Sequence, residues 1–418
     1  MKIPGLLYMR QQQRVIKEVV LILLIIVIIG LLFFANIQYT RNNPGGNDFL
    51  VHWVGTKSFV QEGISPYSDQ VALEIQDLVY GRPARSGEHE LRVAYPFYSI
   101  FLFLPFSFIE DFSVARAFWM TLLELSIIFS TILLIRIVNW KPKLLMTLLL
   151  IVFGLFWYHS LRPLINGNAV VLILLTITLV LYGIKNQIDE LVGISMALMT
   201  IKPQVVVVFI LFICIWAIVN HRLKIIFWFI GTVLLLIFVG IFIYPSWPME
   251  FLREVFRYPG YNPPGTPATA LAYLMPGIGS RLGILISMLS GVILIAEWIF
   301  GKNSRDLKFV WISSLSLILG QWVNIQTDPG NFIIMFPAII LSLKVFEERW
   351  KNFGQWLNIV LLAILFFIPW LIFVNTIDFN YQPIQNPIMF FPVPIMLIIM
   401  MYWVRWWVKN PVTDLLSS

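Results

Sequence analysis

Five stretches of this chain, residues 19–37, 225–243, 309–327, 356–377 and 387–404, contain no charged side chain at all. An uninterrupted apolar run of about 18 residues or more is long enough to cross hydrocarbon as a helix. In lipid every backbone N–H and C=O must be paired internally, so helix is the only open-ended structure such runs can adopt. The chain therefore reads as an all-α, polytopic transmembrane helical bundle. Composition agrees: 12% of the 418 residues are charged and 59% are hydrophobic, whereas a soluble domain carries about 25% charged residues. The single cysteine, Cys214, lies inside an apolar run, which leaves no disulfide framework and points to core packing.

Further helices are expected over 113–138, 144–161, 168–184, 191–201, 205–219, 282–300 and 332–343. The first apolar run is too long for a signal h-region and no small-residue cleavage site follows it, so it reads as an anchored first helix. Basic residues cluster at Lys2, Arg10, Arg14 and Lys17, at Lys141 and Lys143, at Lys185, at Arg222 and Lys224, and at Lys302, Arg305 and Lys308. They recur at Lys344, Arg349 and Lys351 and at Arg405 and Lys409. The net charge of +7 is thus topological rather than a mark of nucleic-acid binding, and the positive-inside rule places these clusters and both termini in the cytoplasm. The connections 38–94, 162–167, a turn near 202, 245–281, 328–331 and 378–386 then lie outside. Residues 95–109 are apolar but short, and a crossing there would reverse the placement of Lys141 and Lys143. Twelve or thirteen membrane helices are expected, depending on that segment. The whole of 1–418 reads as one integral membrane domain, with 1–18 cytoplasmic and no internal repeat.

The first outer connection carries an apolar stripe, Phe49, Leu50, Trp53, Val54, Phe59 and Val60, that ends at Gly63. Its spacing predicts an amphipathic helix, capped by Asp48 and lying flat at the interface. Asp48 suits an N-cap or a general base, and the two roles are compatible. His52 lies one turn further on, either as an interfacial polar residue or in the site. Lys202-Pro203 should start a helix, because proline favours the first helical position and restricts the residue before it. Lys202 would there meet an anionic group such as phosphate, or snorkel to lipid headgroups. Arg162, in Arg162-Pro163-Leu164-Ile165-Asn166-Gly167-Asn168, offers a second cation, and Asn168 a cap for the following helix. Arg253 and Arg257 share one helical face and form a candidate phosphate clamp or a lipid-headgroup contact. Asp328 reads as a turn residue. Glu124 and Glu297 sit inside apolar helices, where pairing with a neighbouring helix is expected. No metal-ligand spacing, Walker loop, Gly-x-Gly-x-x-Gly or Gly-x-Ser-x-Gly pattern occurs, so neither a metal nor another cofactor is expected.

Taken in order, several of these segments resemble glycosyltransferase family 87. Asn47-Asp48-Phe49 followed by Gly63-Ile64-Ser65-Pro66-Tyr67-Ser68 is similar to that family's D-F…G-x-x-P-Y-x pattern. Tyr95-Pro96-Phe97 leading to Leu104-Pro105-Phe106 resembles its Y-P-P segment, Gly167-Asn168 its G-Q pair, and Ile201-Lys202-Pro203 its K-P element. Phe97 replaces a proline, Asn168 a glutamine, and Val170 stands where an asparagine is usual. The resemblance implies a bundle of the GT-C type, a polyprenyl-phosphate sugar (mannose-like) as donor, and Asp48 as base. A polyprenyl phosphate is already a good leaving group, so one carboxylate and a few cations suffice, where a glycosidase would need two carboxylates. The expected activity is inverting transfer to a lipid, glycan or polymer acceptor at the outer face of the plasma membrane. Lys202, Arg162, Arg253 and Arg257 would hold the phosphate; His52, Tyr67, Tyr95 and Asn168 would line the sugar or acceptor site. Expected partners are the donor, the acceptor and membrane lipids. The alternative is a transporter or lipid flippase, though the polar residues gather at one face rather than at mid-membrane.

Overall fold

The computed structural model describes residues 4–262, 265–323, 326–377 and 385–410, and these contain helices and no strand. The helices are α1 (Pro4–Asn42), α2 (Asn47–Glu62), α3 (Asp69–Tyr80), α4 (Ile100–Ser107) and α5 (Phe112–Ile137). They continue as α6 (Leu144–Phe156), α7 (Tyr158–Asn166), α8 (Val170–Lys185), α9 (Asp189–Met199), α10 (Pro203–Val219) and α11 (Leu223–Ile243). The last group is α12 (Trp247–Arg257), α13 (Pro267–Leu274), α14 (Gly279–Phe300), α15 (Asp306–Val323), α16 (Phe336–Thr376) and α17 (Pro392–Lys409). Of the sequence expectations, Lys2, the turn residues Pro263 and Pro264, and residues 378–384 lie outside the described residues.

Among the described residues, six helices are long and apolar enough to cross a membrane, or seven if α6 and α7, bent by 51°, form one span. α8 and α10 are apolar but shorter. The sequence expectation is twelve or thirteen membrane helices; the difference arises because several of those segments, α8 and α10 among them, are shorter than a full span and because α16, counted here once, holds two helices. α8 is lined with fully covered residues such as Val171, Leu174 and Ile177, and a helix packed among protein neighbours need not match the hydrocarbon thickness by itself. α15 is buried without interruption from Phe309 to Trp322, and α16 from Phe336 to Phe346. These two, with α5 and α8, are the core. The outer helices instead display bare Leu, Ile, Phe and Val: α1, α11, α14 and the second half of α16 expose them along most of their length. So continuous an apolar surface has no place in water.

α16 is two antiparallel helices. Lys351 departs from helical geometry (φ 48°, ψ −117°). Beyond it the chain returns along itself, so that Asn358 Nδ2 donates to Leu343 O at 2.9 Å and a Cβ at Gly354 would collide with Phe346 O. The two helices expected over 332–343 and 356–377 are these halves, the first preceded by a 3₁₀ turn over Pro329–Met335.

Most of the basic clusters gather at one end. Lys143 Nζ donates to Gln355, Lys185 Nζ to the carbonyls of Arg136 and Ile137, and Arg349 to Asn410 O. Arg222 pairs with Asp189, and Asn220 donates to Lys302 O. At the opposite end sit α2, α3 and α12. The ambiguous segment 95–109 begins and ends there: Tyr95 packs on His52, Tyr98 Oη donates to Thr200 O, and Trp53 Nε1 donates to Phe106 O. It runs alongside α2 and does not cross, which leaves Lys141 and Lys143 with the other basic residues.

The intramembrane acids are paired as expected. Glu124 accepts from Asn36 Nδ2 at 2.8 Å, and Glu297 meets Arg405 at 2.8 Å. Near the site end, α3 and α12 are joined through Arg92, which is buried. Its Nε donates to Glu254 Oε2 at 2.8 Å, and its Nη2 pairs with Asp69 at 2.7 Å and reaches Tyr67 O. Removing one member of a buried ion pair strands the other, typically at about 3–5 kcal/mol, whereas an exposed pair contributes about 0–1 kcal/mol. Glu254→Ala should therefore lower stability in detergent by about 3 kcal/mol, while Glu110→Ala, which removes the exposed partner of Lys57, should change it little. Equal effects in thermal unfolding would show that the Arg92 network does not hold α3 to α12.

Candidate active site

Two glycines set the start of α2. Gly45 and Gly46 have φ of 126° and 81°, and a side chain on Gly46 would collide with the Arg116 guanidinium. Gly46 therefore occupies the cap position, and Asp48 lies inside the first turn of the helix. The expected N-cap role of Asp48 is corrected accordingly: its carboxylate is not used on the N–H groups of its own helix. Nor does α2 lie flat at an interface, because every residue from Phe49 to Thr56 is buried. Its C-terminus does fall at Gly63, in the left-handed conformation.

Asp48 turns instead to the α7–α8 turn. Its Oδ2 accepts from Asn166 Nδ2 at 2.6 Å and from Asn168 Nδ2 at 2.8 Å. The turn between these amides is Gly167, at φ 74°, and a Cβ there would overlap Phe49 Cβ. Only a glycine permits both the left-handed backbone and this approach. Trp119 holds the turn from below, donating from Nε1 to Gly167 O at 2.8 Å while stacking on Phe49 at 5.4 Å. Arg116 ties the same turn to the end of α1 by donating to Ile165 O and Asn43 O, each at 2.9 Å.

A continuous polar chain leads on from Asp48. Asn168 Oδ1 accepts from Lys202 Nζ at 2.9 Å and from Val170 N, so Asn168 also satisfies the start of α8 as anticipated. Lys202 is the residue before Pro203 at the N-terminus of α10. Its Nζ donates further to Asn331 Oδ1 at 2.8 Å. Asn331 Nδ2 then donates to Thr327 Oγ1, Thr327 to Gln321 Oε1, and Gln321 to Val205 O. Buried amides with every link made specify one arrangement. Burial depresses the Lys202 ammonium from its ordinary value, and the Asp48 and Asp328 charges oppose that shift.

The other sequence candidates divide. His52 is stacked between Tyr95 at 4.1 Å and Phe103 at 4.7 Å, and Tyr67 Oη donates to Tyr95 O at 2.8 Å. These three line one small cavity. Burial and the Asp48 charge raise the Tyr95 hydroxyl well above its usual range. Arg162 Nη1 pairs with Asp328 Oδ1 at 3.2 Å, and Asp328 also accepts from Gly330 N and Gln385 Nε2. Asp328 is the expected turn residue and a partner for Arg162 as well. Arg253 and Arg257 do share α12, and among the described residues neither bonds to Asp48. Arg253 is exposed near Glu250, and Arg257 pairs with Glu90 at 2.7 Å. Spacing along a helix showed their common face but not what that face meets.

Sequence reasoning passed over Asn166, Asn331, Trp119 and Arg116. The first two stand inside quoted motifs, and the Asn-Gly-Asn triplet around Gly167 was the available signal.

Two outcomes follow. Gly167→Ala incurs about 1–2 kcal/mol for left-handed backbone and about 1–3 kcal/mol for the overlap with Phe49; a thermal midpoint equal to wild type would dissociate Gly167 from this packing. Burial, and then the Lys202 charge, push the His52 imidazole down to about 3. The unfolded chain, at the ordinary value near 6.5, takes up that proton first, so stability is complete above about pH 6.5 and falls as the pH drops toward 3. Between pH 7 and pH 5 the loss should be about 2 kcal/mol. His52→Phe should remove that part of the acid sensitivity in thermal unfolding, and an undiminished shift would contradict the assignment.

The model of glycosyltransferase family 87 matches residues 94–320, more than half of the chain. The match covers the 95–109 segment, the α7–α8 turn and Lys202, and begins after Asp48. No curated protein and no solved structure matches the chain. The chain belongs to glycosyltransferase family 87, and its apolar helical bundle makes it a membrane glycosyltransferase.

Proposed function

We propose that the protein transfers a sugar, mannose-like by the family resemblance, from a polyprenyl phosphate to a hydroxyl of a lipid, glycan or polymer acceptor, with inversion. The observation that carries this reading is the arrangement of one carboxylate and one buried ammonium on a shared amide: Asn168 donates to Asp48 and accepts from Lys202. Asp48 Oδ2 is occupied by two amides, and Oδ1 accepts no hydrogen bond among the described residues. Oδ1 is therefore the atom to receive the acceptor's proton. As that hydroxyl attacks the anomeric carbon, the bond from carbon to phosphate oxygen breaks and the phosphate leaves with the charge.

Lys202 stands where that charge develops. Two of its three N–H groups go to Asn168 and Asn331, which leaves one for a phosphate oxygen. It sits at the N-terminus of α10, where unpaired backbone N–H groups and the helix dipole favour an anion. Arg162, held by Asp328, is the second cation on this side. The positive-inside rule sets the basic end in the cytoplasm and the site end outside, so both termini are cytoplasmic and transfer occurs at the extracytoplasmic face of the plasma membrane. The polar chain lies at an end of the bundle, which suits an enzyme drawing on lipid-linked substrates better than a transporter with a mid-membrane site.

General-base catalysis contributes about 10²–10⁴-fold, and Asp48→Asn preserves size and the amide contacts. It should lower kcat for transfer from a radiolabelled polyprenyl-phosphate sugar by about that factor with an unchanged thermal midpoint. Lys202→Ala, which removes charge stabilisation at the leaving group, should cost about 10²–10³-fold. Full transfer by folded Asp48→Asn protein would remove the base assignment.

A further inference from the structure

α12 is amphipathic with its faces reversed. Its carboxylates turn inward: Glu254 is buried and accepts from Arg92. Both oxygens of Glu250 are taken as well, one by the hydroxyl of Ser65 and the other by those of Tyr244 and Ser246. Trp247 and Phe251 pack inward beside them, Trp247 on Phe97 and Tyr98 and Phe251 on Tyr67. The opposite face is apolar and bare, with Met249 60% and Phe256 82% exposed and Leu252 exposed between them. Three and then four residues separate these side chains, which places them in one row along the helix. A helix at a water-facing surface turns such a row toward the core and its charges toward solvent.

The position of α12 says what covers that row. Tyr244, Pro245 and Ser246 alone separate it from α11, one of the helices whose apolar side chains have no place in water. Trp247 is seated on the last turn of α11, where a Cβ on Gly240 would lie 2.9 Å from Trp247 Nε1. α11 exposes Phe238 and Phe242 up to this point, and from Ile225 to Met249 the chain contains no charged residue. The lipid-facing surface of α11 therefore leads directly into the bare row of α12. Arg253 lies within that row and is exposed, while the Glu250 carboxylate near it is held by its three hydroxyls. A two-fold contact centred on this face would bring the Arg253 side chains of two copies together. A lipid leaflet instead supplies hydrocarbon to the apolar side chains and phosphate to an arginine at their edge.

We propose that α12 is a membrane anchor: Met249, Leu252 and Phe256 enter the leaflet at the site end of the bundle, and Arg253 meets a phospholipid phosphate. The inner face of the same helix is bonded to Arg92 and Ser65, so the lipid surface sets the level at which α3 and the turn before it stand. The proposal does not depend on the transfer reading.

The test is nitroxide accessibility in the full-length protein, reconstituted into vesicles of phosphatidylethanolamine and phosphatidylglycerol. Labels are placed on Phe256→Cys and Leu252→Cys, exposed positions where the change removes no buried contact, in a Cys214→Ala background. Ser86→Cys, in an exposed turn after α3, is the aqueous reference. Oxygen concentrates in hydrocarbon and a nickel chelate in water. The labels at 252 and 256 should collide with oxygen more often than with the chelate, with the order reversed at 86, and Arg253→Glu should shift the 256 label toward the chelate. Chelate-dominated collisions at both α12 positions would show that the row faces water. Protection from both reagents would show that protein covers it, with spin–spin broadening if the cover is a second copy. Either result overturns the anchor, and an unchanged ratio in Arg253→Glu would overturn the phosphate contact.

Discussion

The close contact between Phe49 on α2 and Gly167 at the α7–α8 turn is the constraint on which the site depends. Asn166 and Asn168 can both reach one oxygen of Asp48 only because nothing projects from the residue between them. Trp119 and Arg116 reinforce that contact from α5, one by holding the Gly167 carbonyl and the other by joining the turn to the end of α1. The apolar bundle thus delivers a carboxylate to a defined place with one oxygen occupied and the other open. Ring packing among Phe49, Phe103 and Trp119 provides the rigid base beneath it, since aromatic packing of this type contributes beyond the area it buries.

The same turn couples Asp48 to Lys202. Asn168 uses its amide nitrogen on Asp48 and its carbonyl on Lys202 and the start of α8, so a shift in one residue is felt by the other. Buried polar networks of this kind are demanding, because each member left without a partner is costly in a low-dielectric interior. The chain from Lys202 through Asn331, Thr327 and Gln321 ends on a backbone carbonyl of α10, which closes the network onto the helix whose N-terminus carries the lysine. Binding of an anionic group there would use a site already ordered before the ligand arrives, the condition under which electrostatic stabilisation is most effective.

Much of this was legible from residues alone. Charge-free runs marked the helices, the stripe ending at Gly63 marked α2, and Lys202-Pro203 marked a helix start with the lysine at its head. Pairing of Glu124 and Glu297 followed from the cost of a bare charge among apolar neighbours. Three things were not legible, each for a physical reason. Hydropathy is the same for a segment that lies against α2 and for one that enters lipid, so 95–109 could not be placed. The capping preference of Asp48 was overridden by two positive-φ glycines, the second packed against Arg116, far away in sequence. The roles of Asn166 and Asn331 arise from contacts across 118 and 129 residues of chain, and no local pattern distinguishes such amides from ordinary turn residues.

With Asp48 as the proposed base and no second carboxylate in contact with it among the described residues, the transfer we propose is a single displacement. The most direct measurement is the anomeric configuration of the product, read from the one-bond carbon–hydrogen coupling at the anomeric carbon, with a donor of defined anomer. Inversion is the predicted result. Retention would require a covalent sugar intermediate on a second nucleophile, and would contradict the assignment of Asp48 as the base in a one-step transfer.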